Sequence, residues 1–159
     1  YKRLKDSFDA LSYSISDDAI HQMAIDYITF LPENNILFDG AIDILEYLNP
    51  NYKLHIITNG FAEVQYKKLK NAGIADYFIS VTNSEMAGVK KPHPSIFEYA
   101  VKAAKTSKEK SVMIGDCIDA DVRGALEYGM EAIYFNETKK EVSDEIKQIN
   151  QLIELKNIF

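Results

Sequence analysis

Three short stretches of this chain carry side chains that could act together on one charged group. In the first, the apolar run Val112-Met113-Ile114 stops at Gly115-Asp116, and Asp119 and Asp121 follow. Such a run suits a strand buried on both faces. A carboxylate at its carboxyl end lies where open α/β sheets bind ligands. Asp119 and Asp121 fall at the start of the next helix, where the macrodipole favours negative charge. Carboxylates gathered on one loop repel each other unless a cation lies among them. An all-oxygen set suits Mg²⁺, which takes one or two carboxylates plus phosphate oxygens.

The second stretch is Ile56-Ile57-Thr58-Asn59-Gly60-Phe61. A hydroxyl and an amide follow an apolar strand there, and Gly60 allows a close turn into a helix. A hydroxyl beside free amides at a helix start can seat an anion, although Thr-Asn-Gly after a strand is by itself an ordinary turn. The third is Gly88-Val89-Lys90-Lys91-Pro92-His93-Pro94. Its prolines stiffen the loop, so the lysine can be aimed. Hydroxyl, lysine and carboxylate thus follow three different strands. Thr58 and neighbouring amides would take phosphoryl oxygens, Lys91 would neutralise charge, and Asp116 would bring the metal. Positioning and charge stabilisation are most of what phosphoryl transfer asks of a protein.

The elements needed to position these groups can be read along the chain. Residues 1 to about 30 are expected to be helical. Asp17 and Asp18 open one helix, with Ile20, Met23, Ala24, Tyr27 and Ile28 as its apolar stripe. Pro32-Glu33-Asn34-Asn35 marks a boundary, dividing a helical region (1–34) from a main domain (35–159). A helix through Ile42, Ile44, Leu45 and Leu48 stops at Pro50. Strands are expected over 53–57, 77–81, 111–114 and 132–135, with helices over 61–71, 94–104 and 119–128 between them. A weaker strand near 145–149 and a helix near 152–158 finish the pattern. Strands alternating with helices of about ten residues predict right-handed crossovers, hence an α/β fold with a doubly wound parallel sheet.

Composition narrows the function classes. Apolar residues make up 47% and charged residues 26%, ordinary for a globular chain. Eighteen basic against 24 acidic residues give a net charge of −6, which argues against a nucleic-acid polymer as partner. No apolar run approaches the roughly 20 residues needed to span a bilayer, so no membrane partner is expected. A single cysteine excludes an internal disulfide and points to a reducing cytoplasm.

The three stretches resemble the later motifs of the haloacid dehalogenase-like hydrolases: Thr58-Asn59-Gly60 the second, Lys91-Pro92 the third, and Gly115-Asp116 with Asp121 the fourth. The segments 56–69 and 84–92 are most similar to the noncanonical pyrimidine nucleotidase (5′-nucleotidase) branch. The resemblance covers roughly residues 35–159 and makes the preceding helices part of a helical cap. It implies an Mg²⁺-dependent phosphohydrolase acting through an aspartyl-phosphate on a small phosphorylated metabolite, a nucleoside monophosphate being the leading case. In that reading Thr58, Asn59 and Gly60 bind phosphate and Lys91 steadies the intermediate. Asp116 is a direct metal ligand, and Asp121 an outer or second one. His93 stands where the family usually has Asp, and Cys117 where Asn, Ser or Asp is common.

The family's first motif, a strand ending in Asp-x-Asp that supplies the nucleophile, is not found. Neither Asp6-Ser7-Phe8-Asp9 nor Asp17-Asp18 follows a strand-like run. Without a nucleophile there is no covalent intermediate, so these residues alone are expected to be inactive. The resemblance also places that first strand between the strands ending at Thr58 and Asp116. The natural protein is therefore expected to extend further at its amino end, and a further segment or another chain to complete the sheet. A 2-haloacid dehalogenase, a phosphomutase and a degenerate non-catalytic member remain alternatives. A receiver domain gathers similar residues in a different order.

Overall fold

The structure, a computed structural model, describes residues 1–33 and 35–159. The expected boundary at 34/35 falls at Asn34, outside the described residues. Two helices come first, α1 (Lys2–Ala10) and α2 (Asp17–Phe30), the latter capped by Ser16, whose side chain accepts from Ala19 N–H. A 3₁₀ turn, Leu31–Glu33, follows. Of the stripe expected on α2, Ile20 is buried, while Met23 and Tyr27 remain exposed. The chain then runs through α3 (Ala41–Leu48), β1 (Leu54–Thr58), α4 (Ala62–Asn71), β2 (Phe78–Asn83), α5 (Ser84–Ala87), α6 (Pro94–Ala103) and β3 (Val112–Gly115). A π-wound segment, Ile118–Arg123, leads into α7 (Gly124–Tyr128), followed by β4 (Glu131–Phe135), β5 (Gln148–Ile149) and a closing 3₁₀ segment, Leu152–Asn157.

All strand pairings are parallel, and they form two sheets, β1–β2 and β3–β4–β5. Alternation along the strands sends residues to two helical layers. Met113, Ala132 and Tyr134 pack with Ile96 and Phe97 of α6, Val122 of the π-wound segment and Ala125 of α7. Ile133, Phe135 and Ile149 pack with Ile44 and Leu48 of α3 and with Leu155. β1 contributes to both layers, Ile57 to the first and Leu54 to the second. β1 therefore packs against the same helices that cover the wider sheet. Among the described residues, β1 and β3 are not hydrogen-bonded to each other.

Two elements differ from the sequence pattern. The helix expected over 119–128 begins with π winding, in which Val122 N–H reaches back to the Cys117 carbonyl at 3.3 Å. The closing helix is 3₁₀ and opens with a capping box, with Gln151 and Glu154 each bonded to the other's backbone.

Candidate active site

β1 ends at Thr58, and the turn after it is held by that residue's own side chain. Thr58 Oγ1 accepts from Gly60 N–H at 3.0 Å. Because the oxygen is the acceptor there, the hydroxyl proton remains free to donate elsewhere. The turn enters α4, whose first amide, on Ala62, donates to Glu85 Oε2 at 3.0 Å. Two of the amides expected to seat an anion are thus already bonded within the protein. Glu85 is carried by the short α5, which Asn83 caps by accepting from Glu85 and Met86 N–H, both at 3.0 Å.

The Lys91 loop lies against this turn. Asn59 Nδ2 donates to the Lys91 carbonyl at 3.1 Å, and Lys91 N–H donates to Asn59 Oδ1 at 2.7 Å. The Lys91–Pro92 peptide bond is cis. Lys91 turns inward, its side chain only 10% exposed, whereas Lys90 is exposed. The ammonium donates to the Ile57 carbonyl at 2.8 Å and lies 2.5 Å from Asp121 Oδ1. The contact with Asp121 Oδ1 is an ion pair whose angles do not make it an aligned hydrogen bond. His93 is exposed and caps α6, its Nδ1 accepting from Ser95 N–H at 3.2 Å.

Asp121 reaches this position through local backbone features. The π winding turns it back toward the end of β3, and its Oδ2 accepts from Cys117 N–H at 3.1 Å. Gly115 leaves the necessary room, since a Cβ there would sit 2.5 Å from the Asp121 carboxylate. Gly124 does the same for the Lys91 loop, where a Cβ would come within 2.9 Å of Pro92 Cα. Asp116 is exposed at the end of β3, between two residues that touch Asp121. Asp119 points outward and pairs with Arg123 at 2.7 Å.

The structure thus gathers Thr58, Asn59, Gly60, Lys91, Asp116 and Asp121 at the carboxyl ends of β1 and β3, around one lysine–aspartate pair. It does not bring Asp119 into that group. Among the described residues, no group of three His, Cys, Asp or Glu side chains is arranged to hold a metal ion. The donor set leaves Asp116 as the outward carboxylate, with Asp121 committed to Lys91. That fits a magnesium ion held by few protein oxygens and completed by water and phosphate oxygens. Glu85 and the paired contacts of Asn59 were not foreseen from sequence. The signal for both is polar sequence directly after an apolar strand, Asn59 after β1 and Asn83-Ser84-Glu85 at the end of β2.

Comparison with known proteins adds three relatives. A family model described as a haloacid dehalogenase-like hydrolase matches residues 2–129. The HAD-hydrolase YfnB of Bacillus subtilis (strain 168) is 32% identical over 139 residues, covering 83% of this chain and 59% of that protein. Its crystal structure, described as bound to magnesium, superposes with a TM-score of 0.83 at 30% identity over 96% of this chain and 67% of the other. The pyrimidine 5′-nucleotidase YjjG of Escherichia coli (strain K12) is 35% identical over 103 residues, covering 64% of this chain and 46% of that protein. The glyceraldehyde 3-phosphate phosphatase of Pyrococcus abyssi (strain GE5 / Orsay) is 36% identical over 118 residues, covering 74% of this chain and 47% of the relative. The chain spans about half the length of these relatives.

Proposed function

This chain belongs to the haloacid dehalogenase-like hydrolase family, and from that premise we propose that the gathered residues are the phosphate- and metal-binding part of a phosphohydrolase. Its substrate is a small phosphorylated metabolite, a nucleoside monophosphate in the first instance. The observation that carries this reading is the place of the Lys91 ammonium, between the end of β1 and the Asp121 carboxylate that follows β3. A cation fixed at the carboxyl ends of two parallel strands is suited to a dianionic ester.

The roles follow from the contacts. Thr58, with Gly60 N–H already bonded to its oxygen, donates its hydroxyl proton to a phosphoryl oxygen. Lys91 offsets the charge that develops on the transferring group. Asp121 supplies the counter-charge and keeps the ammonium aimed. Asp116 would hold Mg²⁺, which when bound supplies further charge neutralisation at the phosphoryl oxygens. The nucleophile in this reading is an aspartate on a further strand lying between β1 and β3. Its carboxylate oxygen forms the bond to phosphorus as the ester P–O bond breaks, the leaving oxygen taking a proton from the second aspartate of that Asp-x-Asp motif. Water, giving up a proton to the same group, then splits the acyl phosphate into phosphate and the free carboxylate. That β1 and β3, among the described residues, are not hydrogen-bonded to each other supports a place for that strand.

The test is phosphate release by the full-length protein, with and without Mg²⁺. Substrates are a panel of pyrimidine nucleoside monophosphates and triose phosphates. Mg²⁺-dependent release that falls by about 10²-fold or more in Asp116→Ala is expected. Release that ignores both Mg²⁺ and this substitution, or halide release from a 2-haloacid without added metal, overturns the proposal.

A further inference from the structure

Asn59 makes an unusual pair of contacts for an exposed side chain. Its amide carbonyl accepts from Lys91 N–H at 2.7 Å and its amide N–H donates to the Lys91 carbonyl at 3.1 Å. One side chain thereby treats a residue 32 positions away as a neighbouring strand would, satisfying both of its main-chain groups. Two residues earlier on the same chain, the Ile57 carbonyl accepts from the ammonium of that same lysine. The end of β1 therefore grips Lys91 at both ends, main chain and head group.

We infer that Asn59 is a positioning residue, which acts through Lys91 by fixing where its main chain starts rather than by binding the anion itself. The inference deepens the phosphate-site reading above and rests on it. A lysine has a four-carbon stem with much rotamer freedom, so aiming its head requires a fixed Cα. The loop around Lys91 supplies little of that fixation. His93 N–H closes a turn on the Lys90 carbonyl at 3.0 Å, but the Lys91 N–H and carbonyl are both bonded to Asn59. Asn59 is steadied in turn, since its own carbonyl accepts from Ser84 Oγ at 3.4 Å. Only an amide carries a donor and an acceptor side by side in the geometry required. An aspartate would keep the bond to Lys91 N–H and set a carboxylate oxygen against the Lys91 carbonyl.

The experiment compares Asn59→Leu and Asn59→Asp, alone and combined with Lys91→Met, in the full chain. Two readouts are used. The first is acylation of Lys91 by acetic anhydride, followed by peptide mass spectrometry with the exposed Lys70 as internal reference. The second is affinity for inorganic phosphate by calorimetry. Asn59→Leu is expected to speed Lys91 acylation about tenfold and weaken phosphate about tenfold, with Asn59→Asp between it and the parent. In the Lys91→Met background, Asn59→Leu should change phosphate affinity by less than about twofold, because the residue it acts through is gone. An equal loss of affinity in both backgrounds, with Lys91 acylation unchanged, overturns the inference and makes Asn59 a direct anion contact. If the parent chain binds no phosphate, the phosphate-site reading fails. The acylation rates then decide the positioning role alone. Asn59→Asp keeps one of the two bonds, so it covers the case in which Asn59→Leu does not fold.

Discussion

The two sheets are built from similar apolar runs, but β4 of the wider sheet and β1 of the narrower one are buried to different degrees. In the wider sheet, Met113, Ala132, Ile133, Tyr134, Phe135 and Ile149 are all buried. In the narrower one, every residue of β1 from Leu54 to Thr58 is only partly buried, although Leu-His-Ile-Ile-Thr is nearly as apolar. β4 has a hydrogen-bonded strand on each edge, whereas β1, among the described residues, pairs with β2 alone. A strand is closed off by its neighbours in the sheet as well as by the helices above and below it. The site lies where these two environments meet, and the Lys91–Asp121 pair joins them.

Cutting that join should produce the largest effect. The two side chains are 10% and 4% exposed, so Asp121→Ala leaves a nearly buried ammonium without its counter-charge. We expect it to cost about 3–5 kcal/mol of unfolding free energy, measured by urea denaturation. Replacing both partners by apolar residues, Lys91→Met with Asp121→Leu, should recover most of that loss. If Asp121→Ala costs no more than an ordinary surface substitution, the two sheets are not held together by this pair.

Truncation within each sheet sharpens the contrast. Ile133→Ala, at a residue 2% exposed, should cost about 2–5 kcal/mol, with Ile56→Ala in the half-buried β1 at or below the lower end of that range. Equal losses would mean that β1 is packed as completely as β4, and the comparison would fail.

Much of this arrangement is legible in the sequence because local chemistry and fold agree. The strands ending at Thr58 and Gly115 lie within a residue of where their apolar runs stop, and Pro94 opens α6 as a proline in a first turn should. Thr58 ends the parallel strand β1 and Asp116 follows β3, while the loop of Lys91 is tied to the end of β1 by its bonds to Asn59 and Ile57. The separate fates of Asp119 and Asp121 are not legible. Both read as first-turn acids, yet one pairs with Arg123 at the surface and the other is buried against Lys91. The π winding and the missing Cβ of Gly115 decide this, and both answer to tertiary packing rather than to helical propensity. The stripe on α2 misleads in the opposite way. Its spacing is right for a buried face, but Met23 and Tyr27 are exposed, since periodicity says which residues could be covered and not what covers them.

The smallest expected effect also belongs to the narrower sheet. His55 on β1 has its Nδ1 2.8 Å from Ser80 Oγ on β2. Partial burial, with the Lys53 charge second, holds the imidazole below its ordinary value of 6.5. The unfolded chain therefore takes up that proton more readily than the folded one, and folded stability rises with pH across the interval. The contribution is full above 6.5 and is lost as the pH falls through the lower, folded value. Unfolding midpoints compared at about pH 7.5 and about pH 5.5 should fall less on acidification for His55→Gln than for the parent chain. An unchanged difference between the two pH values would place the acid sensitivity elsewhere. It would also mean that water reaches His55 on β1 as freely as in the unfolded chain.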